Sequence, residues 1–488
     1  MKRFIIMDEK DTIATALEDT FAGEVASIYS SDNEKVAEVK VLENISFGNK
    51  IALKDIAVND PIIKYGSIVG QCKKNILKGE LVHVHNVKSN VVDIPSSVQD
   101  EIMKQVRNAE IKGKDKKALA FKGYGRPDGS VGIRNKLLII AVDECCEGIA
   151  RSVAKEFDDA VVLTNWYTCM LGGNEEIYNQ MIAVGENPNV AGVLVIAMGC
   201  GSISASEMAN RIAETGKPAY SLVCEELGGT KNTVKAGIEK LKLLKEYADS
   251  LEREEFPLNK LVIGVKCGGS DTSSGIASNP SVGAAVDKLV ELGATCIAGE
   301  LFELQGCQEV LNKRAKTPEV AEKINQLIEN ERIRWSVEGT EVETMSIGNS
   351  VGGLTTIEEK SMGALHKTGT STIVDILQIN KDFIDKPKEP GFYLSEATML
   401  CGGGGVNFAS FGAHIILWTT GAAGFNNPIV PTIRVSGNEE LINEDIDIDA
   451  TGVMKGTRSI NDVAEDIVKK VQSVASGSLT NVEGIGES

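Results

Sequence analysis

The sequence predicts an α/β protein in which a small β-rich module precedes two α/β regions with largely parallel sheets. Three observations carry this expectation. Across residues 36–86 short apolar segments are cut by turn signals, and no long helical period fits. From Leu137 a strand-then-helix beat begins, the signature of a parallel sheet with covering helices. A charged segment with Pro257, residues 252–259, then separates that beat from a second one starting at Leu261.

Taken in order, residues 1–95 form the β-rich module, with strand candidates at Ile5-Ile6, 36–41, 51–53, Ile62-Ile63 and Leu81-Val82. Residues 96–118, rich in Lys, Glu and Asp, read as a linker. The region 119–256 carries apolar runs at 137–142, 160–163, 192–197 and 219–223, as strands buried on both faces should. Amphipathic stretches follow them at 147–156, 175–183, 205–215 and 230–251. The last region, 257–488, has strand candidates at 261–265, 295–298, 372–377 and 414–418, with glycine clusters at 268–269, 352–353 and 402–405 that read as loops.

Composition narrows the function classes. Of 488 residues, 42% are hydrophobic and 25% charged, the balance of a globular chain. Its length suggests about three domains. Lys plus Arg is 51 and Asp plus Glu is 69, a net charge of −18, so the basic footprint of a nucleic-acid partner is missing. The apolar stretch after Met1-Lys2-Arg3 is too short for a signal peptide, and the longest apolar run, 190–198, cannot span a bilayer. A cytoplasmic protein without a membrane partner is expected. Ten cysteines without a C-x-x-C pair favour free thiols or metal ligands over disulfides.

Ligands of parallel sheets bind at the carboxyl ends of strands, and this chain repeatedly places a cysteine there. Cys145, Cys169, Cys200 and Cys267 each follow a strand candidate, and four thiols in one crevice would select zinc, ferrous iron or an iron–sulfur cluster. The alternative is that a strand-end cysteine is a small buried hydrophobe, the role assigned to Cys72, Cys224, Cys296 and Cys307. His83 and His85 share a face if they lie on a strand and could ligate one metal; otherwise they point to solvent from an edge. Arg134, Asn135, Lys360 and Lys367 are polar positions able to hold a small anionic substrate. The loop at 123–129 precedes a strand and lacks the glycine spacing of a dinucleotide site.

Several motifs resemble the altronate dehydratase/galactarate dehydratase family. They are Gly129-Ser130-Val131-Gly132-Ile133-Arg134-Asn135, Cys267-Gly268-Gly269-Ser270-Asp271 with Ser274-Gly275-Ile276-Ala277-Ser278-Asn279-Pro280, and the stretch from Gly352 through Lys360 to Gly363. The N-terminal module, with Ile63-Lys64-Tyr65-Gly66 and His83-Val84-His85-Asn86, is similar to the family's SAF (β-clip) domain. The resemblance implies a lyase that removes water from a sugar acid with the help of iron, as Fe2+ or a cluster, or of Mn2+ or Mg2+. It admits a homo-oligomer. The positions of Cys145, Cys169, Cys200 and Cys267 are cysteine in the family pattern too, which implies that some of them hold the metal; His83 and His85 stay candidate ligands on their spacing. Asp271, Glu359, Glu300 and Glu303 become candidates for base work or ligation, with Lys360 beside them, and Gly268, Gly269, Ser270 and Lys367 join Arg134 and Asn135 as substrate contacts.

The chain departs from the family pattern at Asn49, Asn165, Gly201, Ser350 and Ala422, where the family has His, His, Glu, Lys and Arg. These departures leave three readings: a lyase of the same class with a less hydroxylated substrate, an authentic sugar-acid dehydratase, or a non-catalytic descendant that binds metal or uses its thiols. A related branch removes sulfite from sulfolactate.

Overall fold

The computed structural model describes residues 2–31, 33–89, 119–164, 172, 174–335, 345–422, 424 and 427–485. The expected linker, Asn165 and Cys169 lie outside the described residues.

The N-terminal module is all strand. β1 (Lys2–Ile5), β2 (Ile13–Ala16), β3 (Val25–Tyr29), β4 (Lys35–Lys40), β5 (Lys50–Ala52) and β8 (Leu81–Val82) form one sheet in the order β4-β3-β1-β2-β5-β8. β6 (Pro61–Lys64), β7 (Ser67–Cys72) and β9 (Val87–Lys88) form a second, in the order β6-β7-β9. Three of these strands, β2, β3 and β7, escape a reading by apolar runs because small and polar residues fill their buried positions.

The second region begins with β10 (Ala120–Gly125), which pairs with β11 (Val131–Gly132) and, from far along the chain, with β16 (Glu254–Pro257). The segment expected as a bare boundary is thus a strand that closes the region on itself. Between them β12 (Lys136–Ala141), β13 (Ala160–Thr164), β14 (Val190–Ala197) and β15 (Ala219–Val223) form an all-parallel sheet in the order β13-β12-β14-β15. α1 (Glu147–Ala154), α2 (Glu175–Gly185), α3 (Ala205–Ala213) and α4 (Thr230–Asp249) connect and cover these strands. All eight residues of β14 are buried, as its unbroken apolar run requires.

The third region is built on β17 (Val262–Cys267), β18 (Thr295–Ala298), β19 (Ile373–Leu377), β20 (Phe392–Ser395), β21 (Ile415–Thr419), β22 (Thr432–Ser436) and β23 (Ile448–Asp449). They make a seven-stranded parallel sheet in the order β19-β20-β18-β17-β21-β22-β23. Among its helices are α5 (Asn279–Glu291), α6 (Ile347–Val351), α7 (Ile357–His366), α8 (Cys401–Ser410) and α9 (Ile460–Ala475). The glycines 402–405, expected as a loop, open α8. A Cβ at Gly404 would meet Lys266 Cε at 2.7 Å, so glycine here lets the helix lie close over the Lys266 side chain.

The chain leaves β17 toward β18 and returns to its other side as β21. The carboxyl ends of β17 and β21 therefore form a topological switch point, where parallel sheets open a crevice. β12 and β14 form the equivalent point in the smaller sheet. Leu138 and Val195 of that sheet share one apolar core with Phe408 and Trp418 of the larger region, which ties the two together. Among the described residues no helix is long and apolar enough to cross a membrane.

Candidate functional site

At the switch point of the large sheet the loops after β17 and β21 are laced by their backbones. Gly268 N–H donates to the Thr419 carbonyl at 2.7 Å and Gly421 N–H donates to Gly269 at 2.8 Å. Asp271 sits where these loops meet α6: a Cβ on Gly421 would lie 1.9 Å from the Asp271 carboxyl carbon, and one on Gly352 would lie 2.7 Å from its Cβ. Only glycine tolerates that approach. The Asp271 carboxylate accepts from the Ser273 hydroxyl and from the Ser274 N–H and hydroxyl, each at 2.8 Å. Burial outweighs these bonds and raises the Asp271 pKa above the usual aspartate value.

The other three carboxylates are held by lysines. Glu300 follows β18 in a left-handed conformation, φ 65°, which aims it back beneath the β17 loop. It accepts from Lys266 at 2.6 Å, Lys367 at 2.7 Å and the Cys267 N–H at 2.7 Å. Glu303 accepts from Lys367 at 2.9 Å and pairs with Lys360 at 3.0 Å. Burial opposes its charge, but Lys360 and Lys367 hold it well below the usual range. Lys360 in turn loses charge affinity to burial and regains more from Glu303, so its pKa is raised and it stays an ammonium.

Glu359 belongs to a second knot, made with the N-terminal module. Its carboxylate accepts from Lys50 at 2.9 Å, Lys64 at 2.7 Å, and the Thr355 N–H and hydroxyl at 2.9 and 2.7 Å. Lys50 also donates to the Gly353 carbonyl. Burial and then Lys50 and Lys64 act on Glu359, and the two ammonium groups prevail, holding it well below the usual glutamate value. The module adds two neutral bonds, Thr272 Oγ1 to the Gly48 carbonyl at 2.7 Å and Thr356 Oγ1 to the Val69 carbonyl. Five buried lysines thus face four carboxylates, a local excess of positive charge in an acidic chain.

The structure brings together Asp271, Glu359, Lys360, Glu300, Gly268, Gly269, Ser270, Lys367 and Cys267 from the sequence-derived set. The Cys267 thiol lies 2.8 Å from the Ser270 hydroxyl, and burial raises its pKa to about 11. Arg134 and Asn135 are elsewhere, at the amino end of β12. Arg134 is consumed by Glu483 at 2.8 Å and by the carbonyls of Ile133, Val474 and Ser478. Asn135 bonds Ala248 and Arg126. They join segments of the chain and make no hydrogen bond to the lysine cluster.

His83 and His85 are not on a strand. β8 ends at Val82, and a turn from His83 to Asn86, closed by the Asn86 side chain, leaves His83 half-buried and His85 exposed. Burial and the Lys50 charge lower the His83 pKa to about 4. The sequence reading does not assign Lys50, Lys64, Tyr65, Lys266 or Asn279 to the site, although Lys64 and Tyr65 lie in one of the motifs that carry the resemblance.

The implied metal finds no donor set in the lysine cluster. Among the described residues no three His, Cys, Asp or Glu side chains come together to hold an ion. Glu300, Glu303 and Glu359 already spend their oxygens on ammonium groups, so the lysine cluster does not fit a cation. Cys145 and Cys200 are free, exposed thiols at the switch point of the smaller sheet.

Three family profiles match successive parts of the chain. The Altronate/galactarate dehydratase SAF domain matches residues 2–90, the D-galactarate dehydratase/Altronate hydrolase second domain residues 123–249, and the D-galactarate/Altronate dehydratase C-terminal domain residues 258–488. The chain is 32% identical to altronate dehydratase of Bacillus subtilis (strain 168), over 99% of this chain and 97% of that protein. It is 28% identical to altronate dehydratase of Escherichia coli (strain K12), over 98% and 96%. It is also 31% identical to the (2R)-sulfolactate sulfo-lyase subunit beta of Chromohalobacter salexigens, over 77% of this chain and 96% of that protein.

Proposed function

Because the chain belongs to the altronate/galactarate dehydratase family, a family of hydro-lyases, we propose that it eliminates water from a small hydroxy or sugar acid at the crevice between Asp271 and Lys360. One observation carries this reading. Of Asp271, Glu300, Glu303 and Glu359, Asp271 is the one without a lysine partner among the described residues, and it lines the same small cavity as Lys360.

The chemistry follows from that asymmetry. Elimination needs a base for the proton beside the substrate carboxylate and an acid for the departing hydroxyl. Glu303 and Glu359, held charged by two lysines each, are too weak as bases to take a proton near neutral pH. Asp271, with a raised pKa and only hydroxyl and N–H partners, is the base. Lys360 balances the charge that builds on the substrate carboxylate as the proton leaves. It then passes a proton to the hydroxyl as the carbon–oxygen bond breaks, giving water and an enol that becomes the 2-keto acid. The positive excess of the cluster holds the acid substrate. Glu300 and Lys367 keep the loop after β17 in place through the Cys267 N–H.

The lysine cluster, whose glutamates are taken up by ammonium groups, leaves no place for iron, Mn2+ or Mg2+. The thiols of Cys145 and Cys200, with Cys169, are the groups on this chain whose chemistry suits iron, and bound iron would supply a Lewis acid. The test is turnover on a panel of D-altronate, D-galactarate and (2R)-sulfolactate, read as keto-acid and sulfite release, with Asp271→Asn as control. Keto-acid formation lost in Asp271→Asn supports the reading; sulfite release moves the chain to the other branch, and inertness toward every acid removes it.

A further inference from the structure

Two polar atoms at the cavity beside Asp271 have hydrogen-bonding capacity that no neighbour takes up. The Asn279 Oδ1 is shut away from solvent without a partner, and the Tyr65 hydroxyl meets only the Lys64 ammonium, itself a donor, so the hydroxyl proton has no acceptor; both residues line this cavity. Tyr65 is 2% exposed and Asn279 3%. Buried polar groups in native proteins are nearly always satisfied, so an orphaned pair at one cavity marks a missing occupant.

The backbone is bent to deliver both. Tyr65 has φ 59° and Gly66 φ 70°, a two-residue hairpin turn between β6 and β7. Asn or Gly adopts the first position of such a turn with less strain, so making the hairpin does not call for a tyrosine. Asp11 pins the turn by accepting the Gly66 N–H at 2.8 Å. The ring crosses into the C-terminal region, edge-on to His366 with centroids 5.9 Å apart. Its hydroxyl abuts Gly275, where a Cβ would stand 2.6 Å from the oxygen. On the facing side a π-helical turn, Ser274–Ser278, leads into α5 and presents Asn279. Asn279 Nδ2 donates to the Gly363 carbonyl at 2.9 Å, which leaves the amide oxygen as the free end.

The geometry points to a subsite at Tyr65 and Asn279 for the substrate hydroxyl that departs as water. It rests on the lyase reading for the class of ligand. Tyr65 can donate and the Asn279 oxygen only accepts, which together complement a hydroxyl group; a carboxylate would set its oxygen against the amide oxygen. The innermost part of the cavity, about 10 Å3, has the room of one hydroxyl or one water. In the elimination the bond from carbon to this hydroxyl breaks, the oxygen keeps the electron pair and takes a proton from Lys360, and the water formed inherits the same two hydrogen bonds. The N-terminal module thereby supplies a group that touches the substrate.

Malate and succinate, which differ by one hydroxyl, serve as probes, titrated calorimetrically into the full chain. The wild type is expected to bind malate about tenfold more tightly, the worth of a well-made hydrogen bond. Tyr65→Phe is expected to bind the two equally, with succinate affinity unchanged. Gly275→Ala sets a methyl group 2.6 Å from the Tyr65 oxygen, so it crowds the hydroxyl out of position without removing any polar group; it too is expected to lose the preference, and Tm is recorded for both variants. No preference in the wild type, no binding of either acid, or a preference that survives both substitutions overturns the subsite. The lyase reading fails separately: a hydroxyl preference lost in both variants, without turnover of any acid by the wild type, keeps the subsite and removes the reaction.

Discussion

The ammonium of Lys64 and the carboxylate of Glu359 lie 2.7 Å apart, both side chains all but excluded from water, although 295 positions of sequence separate them. This pair fastens the N-terminal module to the helix that carries Lys360. The site is therefore a property of the assembled chain rather than of its last region alone.

Removing one partner should be costly. Lys64→Met leaves Glu359 with Lys50 alone in a dry setting, and breaking a buried pair in this way costs about 3–5 kcal/mol. Urea unfolding of the variant should show a loss of that order. A loss under about 1 kcal/mol, the scale of a surface pair, would mean that water reaches the knot.

Asp271→Asn should keep the fold and lower kcat by about 10²–10⁴-fold, the usual worth of a positioned base. In the wild type, kcat/KM should rise with pH as Asp271 loses its proton. Because burial raises that pKa, the acid limb should lie above the ordinary aspartate value of 3.8. A limb at or below that value, or an active Asp271→Asn enzyme, would assign the base elsewhere.

Gly421→Ala tests the same carboxylate sterically. The added methyl would stand 1.9 Å from the Asp271 carboxyl carbon, so one of the two loops must move. Turnover should fall at least tenfold, since about 1.4 kcal/mol of lost transition-state stabilisation suffices for that. Unchanged kcat in Gly421→Ala would show that Asp271 tolerates displacement and is not the reacting group.

Stability should decline as the solution is acidified from pH 7 to pH 5. His366 and His414 are buried and neutral, each with its pKa lowered from 6.5 to about 4 by desolvation. A lowered histidine contributes stability fully present above 6.5 and lost as pH falls toward 4. Asp11 acts the other way: burial raises it from 3.8 to about 6, so its contribution is present below 3.8 and lost as pH rises through 6. His83, also lowered to about 4, adds to the loss, and Asp271, raised by burial, acts with Asp11 against it; the three histidines outweigh the two aspartates, and Glu303 and Glu359 add a further loss below 4.5. A urea midpoint that stays level or rises between pH 7 and pH 5 would contradict this balance.

Metal content tests the thiols. Protein purified without oxygen should carry iron, and Cys200→Ser should lose it while Asp271→Asn retains it, as read by elemental and acid-labile sulfide analysis. Iron that persists in Cys200→Ser would lie outside the strand-end cysteines, and iron-free wild-type protein would take iron out of the chemistry.

What could be read from the residues alone was whatever leaves a local trace. The run Val190–Ala197 is apolar at nearly every position because both faces of β14 are covered, and the glycines beside Asp271 announce a backbone under close approach. The lysine knots leave no such trace. Lys50 and Lys64 look like ordinary charges on a short strand until Glu359 arrives from the far end of the chain, and Lys266 alternates into a run that reads as apolar. His83 and His85 have the i, i+2 spacing that would share one face if they lay on a strand, but Asn86 closes a turn there. Glycines 402–405 mark close packing over Lys266 in place of a loop, since a missing side chain signals proximity as readily as freedom.

The separation between Lys64 and Glu359 also sets an order of events during synthesis. At about 5–20 residues per second, a ribosome needs roughly 15–60 s to add the 295 residues between them. For that time the N-terminal module is finished and displays two lysines that have nothing to hold. A chain that stops short of residue 359 never gains the carboxylate that holds Lys50 and Lys64. Premature termination therefore leaves the N-terminal module without its anchor on the last region.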